Sequence, residues 1–403
     1  MRLRSWLSVV FGAGLLACAG EGDPPGFDAG QPGVDAAGDA GLAMDLGGLP
    51  DAGDPSDVGQ VPPDLGLPEV DGGLSPDASP SGDVGPSTLY FPPTTGDTWE
   101  TLDPVTAGWD LTKLEAALTF AESKDSTAVI ILQHGRIVTE RYWQGWELHQ
   151  SEAIFSASKS VTAILIGMLL EDGALTLDDP VSLHLGAGWT SAPADKEALI
   201  TVRHLLTMTS GLTEGLAYEV DAGTKWYYNT SAYHELFGVI DAAAGMSRDD
   251  FAQTRLHDPI GMQDAAWRPQ RLNASARDMA RFGLLILANG VWDGAPILTH
   301  PTFLAEATQP SQNLNPSYGY LWWLNGQSGF VLPGPDSTLE AGPLMPDGPS
   351  DLVAALGAGD KKIYVVPSRG LVVARHGGPT GDPRLASSSF DNVFWQMLVD
   401  AAP

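Results

Sequence analysis

The chain has 403 residues, 43% of them hydrophobic, and its 21 Lys plus Arg against 50 Asp plus Glu give a formal net charge of −29. Contacts to phosphate backbones need a basic face, so this balance excludes nucleic acid as a partner. A single cysteine leaves neither a disulfide framework nor a thiolate metal site.

Residues 1–18, MRLRSWLSVVFGAGLLAC, set Arg2 and Arg4 before an apolar run too short to favour a membrane span, which is the pattern of a secretion signal. The run ends in Leu15-Leu16-Ala17-Cys18, which resembles the bacterial lipobox. Cys18 is therefore the expected lipidation site, and the protein is expected in the bacterial cell envelope, touching the membrane through a lipid anchor only. Residues 19–88 are Gly, Pro, Asp and Ala with almost no aromatics. Between Ala19 and Glu100 stand 16 acidic residues and no Lys or Arg. Self-repulsion and low hydrophobicity predict a disordered, extended tether there. Taking the signal (+2) and this stretch (−16) from −29 leaves −15 for the remainder. Residues 89–403 are the expected folded domain.

Within it, LTKLEAALTFAES after Asp110 has the spacing of a helix with Leu111, Leu114 and Leu118 on one face. TAVIILQHGRIVTERYW, residues 127–143, reads as a hairpin turning at His134-Gly135. From Phe155 to about Asn289 the patterns are mostly helical. SVTAILIGMLL, Ser160 to Leu170, is apolar on every side and predicts a central buried helix that stops at Gly173. Residues 324–350 form a Gly/Pro-rich excursion that reads either as a lid on a pocket or as a surface insertion. Residues 351–375 predict three short strands, and SFDNVFWQMLVDAA a closing helix. Strands at both ends with helices between them imply an α+β fold, one antiparallel sheet built from N- and C-terminal segments, flanked by helices, with an inserted helical region.

The chemistry-bearing residues begin at FSASKS. Ser156 stands where a serine commonly caps a helix. Lys159, one turn on, shares its face and puts an ammonium against the most apolar helix of the domain, which is costly unless its pKa falls or it has a function. The spacing alone is weak, since among seven lysines one with Ser three positions earlier arises readily by chance. A second element, Trp226-Tyr227-Tyr228-Asn229, places Tyr227 and Asn229 on one side of an extended loop, a phenol to shuttle a proton and an amide to orient. His376 stands at the end of a strand, where a lone His is more often structural. There is no GxSxG elbow, no HExxH and no metal-ligand spacing among the eight histidines, so neither metal nor cofactor is expected.

These segments resemble the serine hydrolases related to class C β-lactamases, which include family VIII carboxylesterases, D,D-peptidases and 6-aminohexanoate-dimer hydrolases. The resemblance runs from about Leu89 to the C-terminus, through YFPPTTGDTWET, GRIVTERYW, FSASKSVTAILIGMLLEDGALTLDDPV, TVRHLLTMTSGL, WYYN, DPIGM, SARDMARFGLLIL and YGYLWW. It implies a β-lactamase/D,D-peptidase-like fold with Ser156 as nucleophile, Lys159 as neutral base or relay, Tyr227 as acid/base and Asn229 as orienter. It also implies the Ser156 backbone N–H as one oxyanion donor. The other donor in the family follows a Lys-Thr-Gly or His-x-Gly triplet. Here Ala355-Leu356-Gly357 takes that place, so the N–H of Ala358 would donate and the side chain that usually engages a substrate carboxylate is missing. That departure favours an esterase or amide hydrolase of less acidic substrates over efficient β-lactam turnover. The alternative is a non-catalytic or weakly active penicillin-binding protein that recognises peptidoglycan. A monomer acting on a small-molecule ester, amide or peptide is expected.

Overall fold

The computed structural model describes residues 89–334, 338–380 and 389–403. The expected signal at 1–18, its Cys18 and the 19–88 tether lie outside the described residues, as do residues 335–337 of the Gly/Pro-rich excursion. Among the described residues no helix is long and apolar enough to cross a membrane.

Helix α1, Leu111–Ser123, starts where Asp110 accepts a hydrogen bond from the Lys113 N–H at 3.1 Å, satisfying one of the orphan donors of the first turn. Strands β1, Ser126–Gln133, and β2, Arg136–Tyr142, are joined by His134 and Gly135, both at positive φ (48° and 83°), the two-residue turn whose twist matches a hairpin. A Cβ on Gly135 would lie 1.9 Å from the Tyr90 carbonyl oxygen, so only glycine fits.

The chain then leaves the sheet. It makes β3, Ser151–Ala153, and the buried helix α2, Ala157–Glu171. Later come helix α3, Thr230–Ala244, the short strands β4, Ala266–Arg268, and β5, Arg271–Ser275, and helix α4, Ala276–Leu287. It returns as β6, Trp323–Leu324, β7, Val353–Gly357, β8, Lys361–Val366, β9, Leu371–Gly377, and closes with α5, Ser389–Ala401. The main sheet has the order β2-β1-β9-β8-β7-β6 with every pair antiparallel, so N- and C-terminal segments share one sheet as expected.

Period-two alternation along β8 decides what each face of the sheet meets. A Cβ on Gly283 of α4 would press on Val372, Ile363 and Val365, which places α4 against that face. Tyr364, between them in sequence, points the other way, its ring 5.4 Å edge-on from Trp395 of α5 and its hydroxyl donating to Asp391 at 2.7 Å. Helix α5 packs in turn on α1, with Phe390 stacked on Phe120 at 5.7 Å. Helix α2 is buried from Ala157 to Leu169, as an all-apolar helix must be. Past its end Gly173, at φ 69°, lets the Ala174 N–H reach back to the Leu169 carbonyl at 2.9 Å.

Short alternation was the weakest sequence signal, and the structure adds a small sheet that the helical reading of residues 155–289 passed over. Its order is β3-β5-β4. This ribbon holds the turn that leads into α2.

Candidate active site

Strand β3 pairs with β5, Ala153 opposite Asn273, and the Ile154 N–H continues the ladder to the Leu272 carbonyl at 3.0 Å. The Leu272 N–H in turn donates to Ser158 Oγ at 3.0 Å, tying the ribbon to the first turn of α2. Between these ties Phe155 is held at φ 47°, a left-handed conformation that costs a bulky residue on the order of 1–3 kcal/mol and persists only when its surroundings impose it. The next residue is Ser156. From across the sheet β7 closes on the same turn: a Cβ on Gly357 would lie 2.1 Å from the Ile154 carbonyl oxygen and 3.2 Å from the Ala157 nitrogen. Ala355-Leu356-Gly357 therefore lies at the turn that carries Ser156, and Ala358 follows at its edge.

Ser156 is at the helix start, yet its side chain makes no capping hydrogen bond. The hydroxyl is left for other partners. Lys159 Nζ lies 3.2 Å from Ser156 Oγ and 3.4 Å from Thr230 Oγ1. The ammonium sits between two rings, 4.9 Å from the centre of Tyr228 and 4.4 Å from that of Tyr233. Lys159 is 3% exposed, and loss of hydration brings its pKa from the ordinary 10.5 down to about 7, with the charge of Glu214 pulling weakly the other way. It is poised to take a proton near neutrality.

The phenol at this pair belongs to Tyr228, whose ring centre lies 4.9 Å from Lys159 Nζ and whose hydroxyl is close enough to Ser156 to interact with it. Burial raises its pKa well above the ordinary value, so it is a proton donor and not a phenolate. Trp323 stacks on it at 6.0 Å, and Trp226 and Tyr318 complete an aromatic wall. This corrects the expectation for Tyr227, whose hydroxyl turns outward to Glu214. Adjacent residues of an extended segment point to opposite sides, so only one of the two tyrosines can face the pair. The expectation for Asn229 is corrected with it. Asn229 is the cap of α3: its Oδ1 accepts from the Ala232 N–H at 2.9 Å, and its Nδ2 donates to the Leu212 and Thr213 carbonyls, both at 2.9 Å. The amide serves the helix and the neighbouring loop, and the group facing Lys159 is the hydroxyl of Thr230. The signal was in the sequence: an Asn directly before a helical pattern is a cap, and its side chain is then committed.

Glu214 braces the far side. Its carboxylate accepts from the N–H and hydroxyl of Ser231 at 3.0 and 3.1 Å and from the Thr230 N–H at 3.3 Å, at the positive end of α3. His376 is fully buried in β9, its Nε2 2.9 Å from the Ala274 carbonyl oxygen and its ring against Trp146, so it is structural. Lys361, next to the vacant triplet position, bonds Glu152 and the Gly377 carbonyl, so it does not replace the missing cation. The Gly/Pro-rich excursion is tied down at Asn325, which donates to the Met345 and Pro349 carbonyls at 2.9 Å each and accepts from the Met345 N–H at 2.8 Å.

A serine at a helix start, a buried lysine one turn on and a phenol from the next layer thus stand together in one place. The Beta-lactamase family matches residues 111–376, about two thirds of the chain. This protein belongs to the β-lactamase family. The family is one of serine hydrolases with an α+β fold. The chain is 29% identical over 155 residues to penicillin-binding protein 4* of Bacillus subtilis, a match covering 32% of this chain and 33% of that protein. It spans between 33% and 43% of the lengths of the curated relatives it matches. Among solved structures it is similar to a candidate β-lactamase of Bacteroides dorei (TM-score 0.59, 16% identity, 73% of this chain and 99% of that one). A candidate 6-aminohexanoate-dimer hydrolase of Bacillus anthracis is similar at a TM-score of 0.57 and 18% identity, over 78% of this chain and 87% of that one. At these identities the structural likeness speaks for the fold alone.

Proposed function

We propose that this β-lactamase-family protein cleaves esters or amides through an acyl-enzyme on Ser156. One observation carries the reading: the Ser156 hydroxyl lies between a lysine brought to about pKa 7 and a protonated phenol. Neutral Lys159 takes the Ser156 proton as Oγ attacks the carbonyl carbon. The oxyanion that forms is met by the Ser156 N–H at the positive end of α2 and by the Ala358 N–H beyond Gly357. Tyr228 gives its proton to the departing alcohol or amine and is reprotonated from Lys159. Water then repeats the sequence on the acyl-enzyme and releases the acid.

The test is hydrolysis of p-nitrophenyl butyrate together with labelling by a fluorophosphonate. Ser156→Ala should lose both, and a variant that keeps the wild-type rate would remove Ser156 from the chemistry. Attachment to the bacterial envelope through Cys18 belongs to the same proposal and rests on residues 1–18. Incorporation of labelled palmitate in a bacterial host, lost in Cys18→Ala, is the expected result.

A further inference from the structure

Strands β4 and β5 form a tight hairpin with Pro269 and Gln270 at its tip, and the register sets Arg268 directly opposite Arg271. Like charges opposed across a strand pair repel, and the arrangement is ordinarily relieved by a carboxylate. Here neither arginine has a hydrogen bond or an ion pair among the described residues, although the chain carries 50 acidic side chains. By contrast Arg136, Arg141, Arg203, Arg248, Arg255 and Arg277 each hold a carboxylate. Both are solvent-exposed, so water satisfies them and they stay free to meet a ligand.

The ladder that pairs β3 with β5 runs on through Ile154 and Leu272, so Arg271 continues it beside Phe155, the residue before the nucleophile. Its guanidinium carbon lies 5.7 Å from the centre of the Phe155 ring, and Phe155 is 39% exposed. On the other side the Gln270 backbone lies near the ring of His234 of α3, one turn past Thr230. The hairpin tip thus bridges from the nucleophile turn to the helix that carries Thr230. It stands beside the turn that carries Ser156.

Resting on the acyl-enzyme reading above, we propose that Arg271, supported by Arg268, is the specificity-determining residue, and that the substrates are esters or amides bearing a carboxylate. A guanidinium presents a planar fork that takes a carboxylate through two parallel hydrogen bonds. The flat, exposed Phe155 ring beneath offers an apolar seat for the carbon chain that joins the carboxylate to the scissile bond. In a strongly acidic domain such a ligand is repelled at long range, so the local pair is what admits it. This replaces the expectation of less acidic substrates drawn from Ala355: the cation absent from β7 is present on the opposite wall.

The experiment compares kcat/KM within two matched pairs. The first is the p-nitrophenyl half-ester of glutarate against p-nitrophenyl valerate, with the charge on the acyl half. The second is 4-acetoxybenzoate against phenyl acetate, with the charge on the leaving half. We expect a preference for the charged member in one pair, reduced about 10- to 100-fold in Arg271→Gln, the size of a lost charge-assisted hydrogen bond. Arg271→Lys should retain part of it, and 0.5 M salt should weaken it. Arg369→Gln, at a distant turn between β8 and β9, should leave it intact. No preference in either pair, or one untouched by Arg271→Gln, overturns the inference. Fluorophosphonate labelling of the same preparations separates the failures: Ser156 labelled without a preference sinks only the arginine assignment, and an unlabelled Ser156 with no hydrolysis sinks both.

Discussion

Three lysines are buried among the described residues, and two of them, Lys362 and Lys159, are held in opposite ways. Lys362, fully buried in β8, faces Asp360 and Asp391 at 3.0 Å each, beneath α5. Lys159, 3% exposed in α2, has two hydroxyls and two aromatic faces and no ion pair among the described residues. A buried cation held between carboxylates braces the fold. A buried cation with hydroxyls and rings is close to giving its proton up, which is what a base requires. Burial alone does not make a lysine functional; the partners it lacks do.

Methionine at the two positions should separate them most sharply. Lys159→Met is expected to lower kcat by 10³-fold or more, on the order of losing a general base with its nucleophile. Its stability should rise by roughly 1–3 kcal/mol, since an expensive desolvation is removed. Lys362→Met should instead lose about 3–5 kcal/mol, because buried carboxylates are left with one cation fewer. Its folded fraction should keep its activity. Urea denaturation and esterase assays on both variants decide the matter, and a destabilised Lys159→Met would break the contrast.

The tyrosines give the next largest effect. Tyr228→Phe should reduce kcat by about 10²- to 10³-fold, the usual size for a lost proton donor, and Tyr227→Phe should stay within about threefold. Equal losses would mean that the outward Tyr227 acts in the reaction after all.

The proton on Lys159 can also be followed directly. Because the base must be neutral, kcat/KM should rise with pH through about 7 and then level. The groups facing Lys159 are Tyr228 and Tyr233 beneath and above it, Thr230, and the charges of Glu214 and His234. Glu214 favours the protonated form, so Glu214→Gln should move the acid limb to lower pH. The stability sign follows from the same lowering. Between about pH 7 and 10.5 the unfolded chain holds a proton that the folded one releases, so stability rises with pH across that window. The advantage of Lys159→Met in urea should therefore shrink from pH 7 to pH 10.

The smallest expected change is at the oxyanion edge. Gly357→Ala forces a methyl into the Ile154 carbonyl, and we expect a loss of about 1–3 kcal/mol with a fall in kcat larger than the change in KM.

Helices and main-sheet strands were legible because their signals are local or strongly periodic. Asp110 before LTKLEAALTFAES, the His134-Gly135 turn and the three strands after Asp351 all form where the pattern puts them. The β3-β5-β4 ribbon was not legible, since runs of three to five residues carry too little alternation to stand out. It is the ribbon that holds Phe155 in its strained turn, so the part of the fold hardest to read is the part that presents Ser156.

The nearness of Ser156 to Lys159 was determined by sequence alone, because three residues make one helical turn and no tertiary contact is needed to bring them together. Tyr228 was not. In TrpTyrTyrAsn both tyrosines carry the same phenol, and the choice depends on which side of an extended segment faces α2. That was settled when the Tyr227 N–H bonded the Met208 carbonyl at 2.9 Å and Asn229 turned its amide into α3 and the 212–213 loop. Chemistry within one turn of helix is written in order along the chain, and chemistry assembled from two layers waits for the packing between them.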